Sequence, residues 1–132
     1  MPSHKQRKKF KMKLTNYFSL EEMTRTDTGL PNNPPPELVK SLLWLCIYLM
    51  EPVREKWGVI RVSCGYRSDA VNQRVGGVPT SQHREAEACD FLPVQSDLVA
   101  VYEWIIKDSF LRFGQCILES KDTSRWIHLS LP

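Results

Sequence analysis

Residues 81–90 read Ser-Gln-His-Arg-Glu-Ala-Glu-Ala-Cys-Asp, with His83 near one end and Asp90 at the other. The chain has three histidines, and another of them, His128, follows a Trp-Ile pair near the C-terminus. Two imidazoles and a carboxylate form a ligand set that zinc binds at about 2.0–2.2 Å per bond, and a catalytic zinc keeps its fourth position for water. These three side chains are therefore a candidate metal site.

The spacing of His83 and Asp90 decides the local fold if the two residues share an ion. A helix over residues 83–90 would separate its ends by about 10 Å, at about 1.5 Å per residue, and one ion does not bridge that gap. A shared metal therefore requires a loop that turns into a strand, although Arg-Glu-Ala-Glu-Ala favours a helix. The alternative is an exposed helix start with an incidental histidine and aspartate.

A wider series of motifs surrounds this stretch. In chain order they are Gly-Tyr-Arg-Ser (65–68), Val-Asn (71–72), Val-Gly-Gly (75–77), Ser-x-His (81–83), Ala-x-Asp (88–90) and Trp-Ile-His (126–128). The series resembles the zinc D-alanyl-D-alanine carboxypeptidase family, including its small phage and bacterial members, from about Tyr17 to Leu131. The resemblance implies the Hedgehog/DD-peptidase fold, which is an α+β single domain. In that fold a small antiparallel sheet carries the zinc site and helices pack on the sheet.

The resemblance also implies roles for individual residues. It assigns His83, Asp90 and His128 as the ligands of one Zn²⁺ ion, and it assigns Arg67 and Ser81 to substrate binding. The planar guanidinium of Arg67 can hold a carboxylate through two parallel hydrogen bonds. We therefore expect it to bind the free C-terminus or a side-chain carboxylate of a peptide. The alternative for Arg67 is a surface salt bridge.

The C-terminal segment predicts a hairpin that brings an acid to the metal site. The predicted elements are a strand over residues 115–119, a polar loop over 120–125 and a strand over 126–131. Alternation along the second strand places His128 on the face opposite the aliphatic side chains. If Glu119 and Trp126 close the hairpin, Ile117 lies opposite His128, and Glu119 becomes a diagonal neighbour of His128 at roughly 7–8 Å.

Glu119 is the acid that we expect to take a proton from the attacking water and to deliver it to the leaving amine. Many relatives place this acid three residues before the last histidine, where this chain has Arg125, which cannot serve. Other relatives, including the Hedgehog signalling domain, have a Glu-Ser-Lys run slightly further upstream, and residues 119–121 match that run. Asp122 is the reserve candidate, and the alternative for Asp122 is an ordinary turn residue.

Two positions depart from the family pattern. Ala86 stands where relatives usually carry glycine. If that position needs a positive φ, alanine strains the loop by about 1 kcal/mol or more, whereas a need for small size alone costs nothing. Trp126 stands where some relatives hold a second histidine near the metal, so a transition-state role for that histidine does not carry over.

Composition and charge separate a short arm from one domain. The 132 residues, 42% of them hydrophobic, suit a single domain. Residues 1–13 carry six basic and no acidic side chains, so the formal charge of +3 for the whole chain leaves −3 for residues 14–132. We expect residues 1–13 to form a flexible basic arm that can contact polyanions, and residues 14–132 to form the zinc peptidase domain.

The apolar runs, the N-terminal segment and the cysteines indicate where the protein is made and where it acts. The sequence has no apolar run of about 18 residues, and its basic N-terminus lacks the apolar stretch of a secretory signal. We therefore expect cytosolic synthesis, no membrane span, and action on the cell wall after release from the host cell or virion. The four scattered cysteines predict reduced thiols and not disulfides. We expect a monomer.

The function that these features predict is a zinc metallopeptidase acting on peptidoglycan. Two cleavages of the stem peptide fit the motifs, one as a D-Ala-D-Ala carboxypeptidase and one as an L-Ala-D-Glu-type endopeptidase, in the role of a phage lytic enzyme. The alternative is a zinc-containing binding module of the same fold without turnover. A third reading is a nucleic-acid protein that uses the basic arm, but aromatic and basic residues are not interleaved as in a stacking surface.

Overall fold

A four-stranded antiparallel sheet forms the centre of the fold. The structure is a computed structural model that describes residues 12–132. The strands are β1 Ile60–Cys64, β2 Ala88–Pro93, β3 Cys116–Lys121 and β4 Ser124–Ser130. Their spatial order is β1-β2-β4-β3, so β1 and β3 are the edges of the sheet. The predicted α+β class with a small antiparallel sheet is confirmed.

Short helices precede and connect the strands along the chain. They are α1 Leu20–Thr24, α2 Pro36–Leu45, α3 Glu51–Trp57, α4 Asp69–Arg74 and α5 Leu98–Lys107, and a π-helical turn, Cys46–Met50, joins α2 to α3. The side chains of Ser19, Ser68 and Asp97 cap α1, α4 and α5 by accepting a hydrogen bond from the backbone N–H three residues later. Between residues 12 and 132, no helix has the length and apolar character needed to cross a membrane.

The core joins the long helical run, residues 36–57, to the sheet. The fully buried side chains of the run include Leu42, Leu45, Leu49 and Val53. From the sheet, Phe91, Ile127 and Leu129 belong to the same buried cluster. The π-helical turn ends two residues before Pro52, and proline in a regular helix would clash with the carbonyl four residues earlier. The wider turn therefore lets the helix continue through a proline.

Most of the predicted basic arm, residues 1–13, lies outside the described residues. Lys13 forms an isolated antiparallel bridge with Ser19. The backbone N–H of Leu20 donates to the carbonyl of Met12 at 2.7 Å. The division of the chain into an arm and a domain stays a prediction.

The stretch that decides the fold, residues 81–90, is a series of turns that leads into a strand. Backbone hydrogen bonds between residues three apart hold residues 81–86 in turns, and β2 begins at Ala88. β2 pairs with β4 in a register that places Asp90 directly opposite His128. The predicted loop-to-strand structure is confirmed, and the alternative of an exposed helix is wrong.

β3 and β4 form a hairpin in the predicted register. Ile117 pairs with His128, and Glu119 pairs with Trp126. Pairing continues for two residues beyond Glu119, so the strands extend into the stretch predicted as a polar loop. Residues 122–123 are left as a tight turn between the strands.

Ala86 has a backbone conformation that favours glycine. Its φ is 59°, and its side chain is fully buried. We expect Ala86→Val to lower the free energy of unfolding by about 2–4 kcal/mol, because a β-branched residue is strained at positive φ and overfills the core. Ala86→Gly is the control. It should stay within about 1 kcal/mol of wild type, because relief of strain offsets the loss of a buried methyl.

Unfolding in urea, followed by far-UV circular dichroism, measures both variants. An Ala86→Gly variant as unstable as Ala86→Val would show that the buried methyl, and not the backbone angle, governs this position.

Candidate metal centre

The structure brings the three predicted metal ligands together on two neighbouring strands and a loop. Asp90 lies on β2, His128 lies opposite it on β4, and His83 precedes β2. The Asp90 Oδ1 atom is 2.8 Å from Nδ1 of His128 and 3.2 Å from Nε2 of His83. The two imidazole centroids are 5.2 Å apart, and all three residues are buried. One carboxylate oxygen therefore contacts both rings.

Asp90 Oδ1 lies at a distance from each ring nitrogen that suits a shared zinc ion, and the described residues whose ligand atoms lie within 4.8 Å of one another are Cys64, His83 and Asp90. Tetrahedral zinc with bonds of about 2.0–2.1 Å places neighbouring ligand atoms about 3.3 Å apart. The separations of 3.2 Å and 2.8 Å between Asp90 Oδ1 and the two ring nitrogens are close to that value. His83, Asp90 and His128 also supply the nitrogen and oxygen donors that zinc takes in peptidases. The role of these residues as ligands stays a prediction.

A hydrogen bond to the backbone of Gly65 fixes the orientation of the His83 ring. Its Nδ1 atom lies 2.7 Å from the carbonyl oxygen of Gly65. Because a carbonyl only accepts, Nδ1 carries the proton and donates it, which turns the Nε2 edge towards Asp90. A side chain at Gly65 would collide with the backbone carbonyl of Met23, so only glycine fits here. The Gly-Tyr-Arg-Ser motif thus begins with a residue that holds a predicted ligand in place.

Asp90 and His83 shift each other's pKa values in opposite directions. Burial raises the pKa of Asp90, but its hydrogen bonds with His128 and His83 outweigh burial and hold the pKa at about 2. Burial lowers the pKa of His83, but its hydrogen bonds with Asp90 and Cys64 outweigh burial and raise the pKa to about 10. Asp90 and His83 therefore form an ion pair, and His83 would have to give up its Nε2 proton to hold a metal ion.

Glu119 lies at the rim of the centre. Its Oε1 atom is 3.9 Å from Nδ1 of His128, and its side chain is about a third exposed. This carboxylate is thus both near a predicted ligand and open to water. Asp122 lies in the hairpin turn, where the structure gives it no contact with the centre among residues 12–132. Of the two predicted acids, Glu119 is the one next to the predicted metal ligands.

Arg67 is anchored beside the centre. Its Nη2 atom is 3.9 Å from Asp90 Oδ2. Its Nη1 donates to Asn72 Oδ1 at 3.1 Å, and its Nε donates to Cys64 Sγ at 3.1 Å. A side chain at Gly77 would collide with the side-chain oxygen of Asn72, Oδ1, which is the atom that Arg67 contacts. Arg67, Asn72 and Gly77, which belong to three separate sequence motifs, therefore pack against one another beside the centre.

Ser81 has a structural contact as well as its predicted substrate role. Its hydroxyl accepts a hydrogen bond from the backbone N–H of His83 at 3.2 Å. This contact fixes the start of the turn that carries the histidine. The binding of substrate by Ser81 stays a prediction.

Cys64 is a residue of the centre that sequence reasoning did not single out. Its sulfur lies 3.7 Å from His83 Nδ1. Cys64, His83 and Asp90 offer ligand atoms within 4.8 Å of one another. Burial raises the pKa of the thiol, but the hydrogen bond with His83 and the charges of His83 and Arg67 outweigh burial and lower it. The one feature of the sequence that could have indicated a role for Cys64 in the centre is its position directly before Gly-Tyr-Arg-Ser.

Comparison with known proteins agrees with this geometry. The family model of peptidase M15 matches residues 16–130, which is most of the chain and includes every residue of the centre. No curated protein matches the sequence. The chain therefore belongs to the peptidase M15 family, and this membership implies zinc peptidase activity.

Proposed function

We propose that the protein hydrolyses peptidoglycan stem peptides with the aid of one zinc ion held by His83, Asp90 and His128. The cleaved bond is D-Ala-D-Ala or an L-Ala-D-Glu-type bond, and the protein serves as a lytic enzyme of a phage. The observation that carries the proposal is the convergence of two imidazoles on Asp90 Oδ1, at 2.8 Å and 3.2 Å, with a carboxylate 3.9 Å from one of them.

Different residues of the centre would bind the metal and transfer the proton during hydrolysis. When bound, zinc lowers the pKa of a water molecule towards about 7 and polarises the scissile carbonyl. Glu119 accepts the proton of the attacking water and passes it to the leaving amine. Asp90 does not serve as the base, because its Oδ1 is already shared between the two histidines.

Arg67 positions the substrate. Two of its guanidinium nitrogens are held by Asn72 and Cys64, so the plane of the group is fixed. A fixed guanidinium next to the centre can orient a substrate carboxylate with little loss of side-chain entropy. Because Arg67 Nη2 is 3.9 Å from Asp90 Oδ2, a carboxylate held by Arg67 would lie close to the predicted metal ligands.

The test is digestion of purified peptidoglycan by the full chain, followed by mass spectrometry of the released products. We expect release that requires zinc, stops with a chelator and returns when zinc is restored. Loss of a terminal alanine identifies a carboxypeptidase, and release of whole stem peptides identifies an endopeptidase. A protein that binds zinc but cleaves no wall peptide would contradict the proposal and favour the non-catalytic module.

A further inference from the structure

A groove formed by two neighbouring cavities lies beside strand β1. It consists of two cavities of about 480 Å³ and 450 Å³. Both cavities are lined by Arg25, Thr26, Asp27 and Ser63, so they are neighbours. The larger cavity also reaches Cys64 and Arg67, which lie next to His83 and Asp90 respectively. β1 is an edge strand, so within residues 12–132 no further strand pairs with its outer side.

Arginines dominate the charge of this groove. Arg25 and Arg74 line the larger cavity, and Arg25 and Arg61 line the smaller one. Among residues 12–132, none of these three exposed arginines forms an ion pair. Asp27 is the acid of the groove. We name the surface formed by Arg25, Arg61 and Arg74 the arginine groove.

Neighbouring acids do not neutralise the arginine groove. The acid at the start of α4, Asp69, is paired with Arg84 at 2.7 Å, so it does not serve Arg74 on the same helix. Arg67 faces Asp90 at 3.9 Å and is part of the centre. Three arginines against one aspartate leave a positive surface next to Arg67.

We propose that the arginine groove binds a second carboxylate of the substrate, so that the preferred substrate is an acidic peptide with two free carboxylates. Arg67 takes the carboxylate next to the scissile bond, and the arginine groove takes one further along the peptide. The inference rests on the proposed function and narrows its substrate class. Guanidinium groups favour carboxylates through paired, charge-assisted hydrogen bonds.

The experiment compares three synthetic peptides in binding titrations. The parent is L-Ala-γ-D-Glu-L-Lys-D-Ala-D-Ala, and the other two are amidated at the D-Glu α-carboxyl or at the C-terminus. Titrations use the zinc-loaded Glu119→Gln variant, so that no cleavage intervenes. We expect each amidation to weaken binding by about 10-fold, as for the loss of a hydrogen bond to a charged group.

The variants assign the two carboxylates. Adding Arg25→Gln, Arg61→Gln and Arg74→Gln together should abolish the effect of one amidation and preserve the effect of the other. Arg112→Gln, an exposed change outside the arginine groove, is the control and should preserve both effects. Urea unfolding shows whether each variant is folded.

Two results would overturn the inference. One is a parent affinity that depends on a single carboxylate, and the other is a triple variant that still responds to both amidations. Failure of the proposed function has a different signature. In that case the wild-type protein cleaves none of the peptides, while the binding ratios still measure what the arginine groove recognises.

Discussion

Glu119→Gln is expected to lower kcat for wall-peptide hydrolysis by about 10²–10⁴-fold, the usual contribution of general acid–base catalysis. Glutamine preserves the size of the side chain at the rim of the centre but does not accept the proton of the attacking water. Glu119 is not a predicted ligand, and its carboxylate is 3.9 Å from His128 Nδ1. Zinc content, measured by mass spectrometry of the intact protein, should therefore be unchanged.

Asp122→Asn is the matched control for this change. It removes a carboxylate only three residues away, and asparagine tolerates the positive φ of 55° at this position. We expect its activity to equal that of the wild type. A larger loss in Asp122→Asn than in Glu119→Gln would transfer the role of base to Asp122 and would contradict the reading of the hairpin.

His128→Ala is expected to abolish hydrolysis and zinc binding together. Zinc affinity should fall by more than about 100-fold, because even the loss of a partner that merely orients a ligand costs about 10–100-fold. The metal-free protein should also lose about 1–3 kcal/mol of stability, since the buried Asp90 loses its 2.8 Å hydrogen bond. Zinc content after dialysis, residual activity and urea unfolding measure the three effects.

Two further variants make this result specific. His4→Ala changes the third histidine of the chain and should alter neither zinc content nor activity. Cys64→Ser tests the other possible ligand set, in which the thiol joins His83 and Asp90. If Cys64→Ser loses the ion and His128→Ala keeps it, the predicted ligands are wrong.

The sequence predicts those features of the centre that follow from the rise of a helix or from the alternation of side chains along a strand. The seven-residue step from His83 to Asp90 excludes a helix under a shared ion, and the structure has a turn and a strand there. Alternation along the last strand predicts the face of His128, and the hairpin register follows from closing it at Glu119 and Trp126. These features depend on short-range periodicity, which a sequence records directly.

Features that depend on distant contacts could not be predicted in this way. The pairing of β1 with β2 shifts between Val62 and Cys64, and this irregularity sets Cys64 opposite Asp90. A pattern of alternating residues does not reveal such a bulge. The arginine groove likewise needs Arg25, from the end of α1, to meet β1, and no periodicity links those two segments.

The pairing of Asp90 with His128 across β2 and β4 has a consequence for the order of folding and metal binding. The backbone pairing of β2 with β4 places these two side chains opposite each other. Small zinc domains that collapse around their ion unfold when they are stripped of it, whereas a sheet of this kind can fold first and be loaded later. We therefore expect the chain to stay folded when a chelator removes zinc, and the return of zinc to restore hydrolysis without refolding.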